Sequence, residues 1–444
     1  MKRLDYLKLK RIIALSIPII GGMMSQNILN LVDTLMIGHL GHVALAGAGI
    51  GGFLFFVSFA AFTGVASGVQ TMIARYQGQR NFQLISQAFV LGLVLVFVGS
   101  SAVLALEWVF LDEIISLFST EVLVFDIARQ YYFFRMLGLP FLTFCLVVRG
   151  FWNGMSKPKR YLMVIVIIHL LNILFNYLFI FGKWGFPMMH AAGAGIASTL
   201  SLVIGSLLYA VDCRRYLKLR SLFDVSKTQL KESIKWLLNL GIPTSIQQFF
   251  FALGVAVFYW ILGQLGTVEM AIGNVLVNIV LVGILPGVGL AMATMTLVSQ
   301  SLGEKKYDET YYWPFYVCFI AIVGIGGLAL FALIFPQLIL RPFISDTGVL
   351  AQAILPFRID TVGVFLEVLA LIFMYALNGI DRTRLVMVIS IVCQWVLLLP
   401  IAYFLSLTLG YGLIGAWLSW VVFQAVQLLW FGGIWIKSRK KLLA

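Results

Sequence analysis

Residues 15–41 read LSIPIIGGMMSQNILNLVDTLMIGHLG, and residues 240–266 read LGIPTSIQQFFFALGVAVFYWILGQLG. A shift of 225 positions lays one on the other, with Pro18 over Pro243, Gly38 over Gly263 and Gly41 over Gly266. The same shift brings ARYQGQ (74–79) onto SQSLGE (299–304) and WNG (152–154) onto LNG (377–379). Further on, GAG (193–195) meets GAW (415–417) at a shift of 222, which a three-residue deletion explains. One offset serving separated landmarks marks an internal duplication.

The duplicated unit is a membrane element. Of 444 residues, 61% are hydrophobic and 11% charged, and the mean hydropathy is +1.01. A soluble domain carries about 25% charged residues. The apolar runs reach about 20 residues, enough to cross a ~30 Å hydrocarbon core as helices. Twelve such runs lie near 12–37, 44–74, 83–107, 124–150, 160–181, 190–211, 236–262, 269–300, 312–336, 351–379, 383–406 and 411–436. No stretch outside them is long enough for a second folded domain. The expected fold is all-α integral membrane, with twelve transmembrane helices in two pseudo-symmetric six-helix bundles. The bundles span 1–215 and 236–444, and the basic segment 216–235 joins them. Six crossings per half give both halves the same orientation, as parallel repeats. That architecture implies a substrate pathway between the halves, opened alternately to each side.

Charge sets the expected topology. Of the 31 Lys and Arg, all but Arg129, Arg135, Lys183, Arg341 and Arg358 fall at the two termini or in even-numbered connections on one side. They include Lys2 and Arg3, the 216–235 segment and the C-terminal KSRKK. The positive-inside rule then makes the chain a multi-pass protein of the cytoplasmic (inner) membrane with both termini cytoplasmic. The net charge of +13 reads as this topology signal, not as a nucleic-acid surface. The first apolar run is long and has no small-residue cleavage site before its end, so no cleaved signal peptide is expected. Cys145, Cys213, Cys318 and Cys393 show no metal spacing and read as small core residues. His39 and His42 lie beside Gly41 without further ligands, so no metal or cofactor is expected. The glycines of GAGIGG (47–52) fall inside a helix with no strand before them, which argues against a phosphate loop.

Ionisable groups inside spans cost about 2.5–3.5 kcal/mol each on insertion scales, so they default to functional candidates. Gln26, Asn30 and Asp33 share one face of the first helix, and Pro18 removes a backbone hydrogen bond in the same helix. Asn172 and Asn176 sit one turn apart on the fifth. The sixth begins AAGAGIASTLS, whose small residues allow close packing while Ser198 and Thr199 bring hydroxyls. Such a group of oxygens can hold Na⁺, or its carboxylate can take up a proton. In the second half Phe258 stands at the repeat position of Asp33, and Glu367 lies near the middle of the tenth span without a Lys or Arg within a turn. Asp360, nearer the outer end, is expected to pair with Arg358 or another outer basic group. Gln247, Asn274 and Asn278 are candidates to line the substrate cleft, or to serve as packing contacts.

At these residues the chain resembles the MATE family, the multidrug and toxic compound extrusion transporters, over essentially its whole length. The resemblance rests on the IP…D…GxLG pattern (Pro18, Asp33, Gly38, Gly41) and its echo from Pro243. It rests also on NG at the ends of the fourth and tenth helices, the GAGIAST run, and TLVSQSLGE after the eighth. It implies antiport of organic cations or lipophilic compounds against H⁺ or Na⁺. Asp33 matches the family's first-helix coupling carboxylate. Asn172 matches the Asn of a fifth-helix N-x-x-x-D pair found in DinF-type members, where Asn176 replaces the Asp and Ser198 stands where a Thr often completes the site. Glu367 matches the tenth-helix acid of NorM-type members, whereas Phe251 stands in place of their seventh-helix Glu. One acid of each pattern is present and one of each is missing, which leaves subfamily and ion open. Asn176, which adds no charge, favours H⁺.

The expected function is therefore a monomeric, cation-coupled multidrug efflux antiporter for small-molecule drugs or organic cations, working within the lipid bilayer. It is not expected to be an enzyme or to bind nucleic acid. A flippase for lipid-linked sugars would call for more helices and several basic residues facing the cleft. An intramembrane enzyme would need clustered His, Asp or Cys, and the His and Cys here are scattered.

Overall fold

The structure, a computed structural model, describes residues 5–118, 121–216 and 226–443, with side chains to Arg439. Lys2, Arg3 and the part of the expected linker at 217–225 lie outside the described residues. The rest of that linker is helical from Lys227 and opens a long helix.

The helices are α1 (Tyr6–Gly38), α2 (His42–Gly78), α3 (Phe82–Val109), α4 (Leu111–Ser116), α5 (Val122–Met136), α6 (Leu139–Gly154), α7 (Pro158–Phe181) and α8 (His190–Cys213). The second half continues with α9 (Lys227–Gly263), α10 (Thr267–Gly283), α11 (Leu285–Gly303), α12 (Tyr307–Ile334), α13 (Pro336–Leu340) and α14 (Thr347–Gly379). It ends with α15 (Thr383–Val392), α16 (Leu399–Tyr403) and α17 (Gly412–Leu443). Eleven spans are single helices, or helices with a shallow break, that are long and apolar enough to cross a membrane. The bent pair α5–α6 completes the expected twelve.

The duplication holds at the level of backbone. Helix starts at His42, Phe82 and Pro158 recur at Thr267, Tyr307 and Thr383, and helix ends at Gly78, Val109 and Gly154 recur at Gly303, Ile334 and Gly379, all 225 residues later. The left-handed turn positions repeat as well: Arg80 and Lys305 have φ of 57° and 58°, and Ser156 and Asp381 have 56° and 65°. Side chains are disfavoured there. Their recurrence without glycine shows that the two halves share the same tight connections.

Three features depart from a plain reading of twelve rods. The eighth span breaks at Ile284, just before Pro286, into α10 and α11. The fourth bends by 50° where α5 gives way to α6 beside Pro140. The eleventh carries π-helical turns at Cys393–Leu398 and Phe404–Thr408 on either side of α16. Pro400 in α16 has no N–H to close the regular ladder, and a widened turn absorbs the mismatch. The short helices α4 and α13, also 225 residues apart, lie between spans and leave no hydropathy signal of their own.

The chain forms two compact units, one of Met1–Ile20 with Ile246–Ala444 and the other Gly21–Ser245. The divisions fall inside α1 and α9, two residues beyond Pro18 and Pro243. Each repeat's second helix, by the duplication, has a glycine that receives the first part of the other repeat's first helix. A Cβ on Gly64 would strike the Gly241 carbonyl and Ser245 of α9, and one on Gly289 would strike Ile20 of α1. These contacts are the same contact seen twice, since Ser245 and Ile20 are also 225 residues apart.

Within the Gly21–Ser245 unit, the core is built on Phe89 stacked on Phe151 at 4.2 Å, with Trp152, Met72 and Val147 buried around them. It fixes α2, α3 and α6 as a frame beside the polar helices. All four cysteines are buried and unpaired.

Candidate functional site

In the Gly21–Ser245 unit the polar face of α1 meets an equally spaced polar face on α7. Gln26, Asn30 and Asp33 lie on successive turns of α1; His169, Asn172 and Asn176 do so on α7. Gln26 pairs with His169 Nε2 at 3.1 Å through its Oε1 and donates to Asn30 Oδ1 at 3.2 Å through its Nε2. One level further along, Asn176 Nδ2 donates to Asp33 Oδ1 at 2.6 Å. The same amide group gives its other N–H to Asn172 Oδ1 at 3.0 Å. Asn172 Nδ2 in turn donates to Ser198 Oγ of α8 at 3.0 Å and, more weakly, to Ser201 Oγ at 3.4 Å. Asp33, Asn176, Asn172 and Ser198 thus form one chain of hydrogen bonds across three helices. Asn172, Asn176 and Ser198 are buried, while Asp33 is partly accessible. Small residues make this approach possible: a Cβ on Gly195 of α8 would sit 2.6 Å from the Tyr131 carbonyl of α5.

A fourth helix contributes a charge that the sequence reading placed with the outer basic residues. Arg135, in the last turn of α5, donates from Nη1 to Ser198 Oγ at 2.7 Å. Its guanidinium lies over the rings of Phe55 (4.9 Å) and Tyr131 (5.7 Å) and within electrostatic reach of Asp33. The available signal was its position: an arginine inside a span is a functional candidate by the same rule that picked out Asp33. His169, in the middle of the fifth span, carried the same signal. So did Glu107 at the end of the third, which is buried and hydrogen-bonded by Ser58 of α2; Ser58 Oγ in turn lies 3.1 Å from the Tyr132 hydroxyl of α5.

The repeat positions in the other unit have the opposite character. Phe258 replaces Asp33, Leu397 and Ile401 replace Asn172 and Asn176, and Trp420 replaces Ser198 at the 222 shift. Phe258 packs edge-on against Trp420 and Trp417, at 5.4 and 5.7 Å between centroids. The matching place for Arg135 holds an acid, Asp360.

Glu367 is buried in α14, and Trp420 Nε1 lies 3.4 Å from its Oε2. Asp360 is 2% exposed, and its Oδ1 makes no hydrogen bond. The expected pairing with Arg358 is not present, because Arg358 Nε donates to the Leu333 carbonyl instead. Gln247 ties α9 to its neighbours through Met374 Sδ (3.3 Å) and Ser390 Oγ (3.0 Å). Asn274 and Asn278 are not brought to any of these groups. Both are exposed on α10, and Asn278 donates to the backbone oxygen of Asn274 at 2.8 Å.

Fold and polar network together define a multi-pass helical membrane transporter built on a duplication. The MatE family model matches residues 18–178 and again 243–404, once in each repeat, and the chain belongs to that family. It is a transporter, not an enzyme. Two relatives are each named probable multidrug resistance protein NorM. That of Mannheimia succiniciproducens is 27% identical over 420 residues, covering 93% of this chain and 90% of the relative. That of Thermotoga maritima is 27% identical over 440 residues, covering 96% and 93%. Among solved structures, a MATE protein in complex with MaL6 superposes with a TM-score of 0.89 at 24% identity, covering 98% of this chain and 97% of that one. An outward-facing multidrug resistance MATE family transporter of the MOP superfamily does so with a TM-score of 0.89 at 23% identity, covering 98% and 96%.

Proposed function

We propose that the chain is a proton-coupled antiporter that exports small organic cations or lipophilic drugs across the cytoplasmic membrane by alternating access, with Asp33 as the coupling carboxylate. The observation that carries this reading is the hydrogen-bond chain from Asp33 to Ser198, in which Asp33 is the one acid. Asn176 supplies an N–H to the carboxylate, which suits the charged form. A proton on Asp33 removes the charge that this N–H answers and weakens the tie between α1 and α7. Pro18 gives α1 a place to change direction when that tie is released. The relatives named probable multidrug resistance protein NorM support the substrate class. The Lys and Arg distribution supports cytoplasmic termini. Both repeats and the complete network lie in one chain, so a monomer suffices for the cycle.

The test is dye efflux from Na⁺-free proteoliposomes under an imposed and collapsible pH gradient. Efflux that follows the gradient supports the reading. Efflux that is absent there and returns with Na⁺ at zero pH gradient overturns proton coupling.

A further inference from the structure

We propose that Arg135 is the ion-selectivity residue of the Asp33 site: a fixed cation that excludes Na⁺ and leaves Asp33 to the proton. The proposal rests on the reading of Asp33 as the coupling carboxylate and deepens it by naming what rejects the metal.

A hard cation such as Na⁺ needs several oxygens at once. The site has a carboxylate, two amide oxygens and a hydroxyl, but most are already committed to N–H donors. Asp33 Oδ1 and Asn172 Oδ1 each accept from Asn176. Ser198 Oγ accepts from both Asn172 and Arg135. Asp33 Oδ2, which takes part in no hydrogen bond among the described residues, and the buried, unpartnered Asn176 Oδ1 are what remain. The carboxylate and amide oxygens keep a second lone pair, but Ser198 Oγ, accepting twice, is closed to a metal ion as long as Arg135 stays on it. A proton needs one carboxylate oxygen and displaces nothing.

Charge alone does not discriminate. The guanidinium is permanently cationic and offers five N–H donors, of which one is used on Ser198. A unit charge within about 4–6 Å of a carboxylate opposes proton and metal alike, by about ten-fold to a thousand-fold. The discrimination therefore comes from the ligands: the proton needs one free oxygen, whereas the metal also needs Ser198 Oγ, which Arg135 holds. Arg135 is held in place by that bond and by the faces of Phe55 and Tyr131, so the charge cannot simply swing aside. The titratable groups within electrostatic reach of Asp33 are Tyr131 and Arg135 on α5, while His169 on α7 meets Gln26. Of these, Arg135 alone is a permanent cation. The fold does not require a base at this point, since the repeat position is Asp360.

The experiment measures saturable binding of radiolabelled Na⁺ to the purified full-length protein in lipid nanodiscs. The proteins are wild type, Arg135→Met, Arg135→Gln and Arg135→Lys, each with and without Asp33→Asn. Wild type and Arg135→Lys are expected to show no Asp33-dependent binding. Arg135→Met is expected to show saturable Na⁺ binding at concentrations about ten-fold or more below any at which wild type binds, and Asp33→Asn in the same chain is expected to abolish it. The proposal is overturned if wild type binds Na⁺ through Asp33, or if the folded neutral variants bind no more than wild type. Arg135→Gln keeps the test open if Arg135→Met does not fold. Binding is read without transport, so a failure of pH-driven efflux in wild type counts against the antiport reading and not against this one.

Discussion

Asp33 and Phe258 occupy the same position in the two repeats and sit in opposite chemistry: Asn176 donates to Asp33 at 2.6 Å, whereas Phe258 rests against Trp420 at 5.4 Å. The helices around them keep the same register. Gln26 meets His169 on α7, and the repeat positions Phe251 and Gln394 meet on α9 and the first π-helical turn after α15, where Gln394 Nε2 donates to the Phe251 carbonyl at 3.0 Å. Duplication preserved how the helices lie and changed what they carry. One half carries a polar hydrogen-bond network, while the other carries an aromatic wall with two buried acids.

Asp33→Asn is expected to reduce coupled efflux to the level of empty liposomes while the protein still folds. The substitution removes the protonatable group and keeps the shape. The loss of one charged hydrogen bond, about 1.5–3 kcal/mol at most, leaves room for a folded protein. Dye efflux and a thermal unfolding curve, measured on the same preparation, decide the matter. Wild-type rates in the variant remove Asp33 from the coupling step.

Glu367→Gln is expected to slow export of cationic substrates more than of neutral ones. Glu367 is buried with the Trp420 indole as its neighbour and no basic group bonded to it, so a cation passing nearby is the available counter-charge. Uptake into inverted vesicles, measured with one cationic and one neutral substrate, separates the cases. Equal slowing of both points to a packing role.

Much of this was legible in the sequence because polar residues at helical spacing stand out against an apolar run. The Asp33, Asn172, Asn176 and Ser198 set follows from that contrast, and the repeat follows from Pro18, Gly38 and Gly41 finding their echoes. Arg135 was hidden by the charge count, which grouped it with outer residues although it lies within a span. The pairing of Asp360 with Arg358 failed for a related reason: nearness in sequence on a helix does not decide which side each residue faces. The division of units inside α1 and α9 depends on contacts between segments more than 100 residues apart, such as Gly64 with Gly241, and no local pattern encodes it. The π-helical turns around Pro400 and the short α4 and α13 leave no mark on hydropathy, which averages over them.

Asn176→Asp is expected to raise the Na⁺ dependence of efflux. A second carboxylate one helix away from Asp33 offsets the Arg135 charge and adds an oxygen ligand where an N–H donor stood. Efflux measured across a Na⁺ series at fixed pH gradient should change from flat in wild type to rising in the variant. A flat response in both would mean that the missing acid at 176 is not what sets the ion.

The two glycines that receive the crossing helices give a stability prediction with an internal control. A Cβ on Gly64 meets the Gly241 backbone carbonyl, which cannot move without shifting α9. The Cβ on Gly289 meets the side chain of Ile20 first, which can rotate, and its nearest backbone atom is the Ile20 nitrogen at 3.3 Å. Overpacking of this kind costs about 1–3 kcal/mol where the neighbours cannot yield. Gly64→Ala should therefore lower the unfolding temperature clearly more than Gly289→Ala, although the two positions are equivalent by the repeat. Thermal unfolding of both variants in the same detergent tests this. Equal losses would mean that α9 shifts as readily as an isoleucine turns, and the contact would not hold α9 fixed against α2.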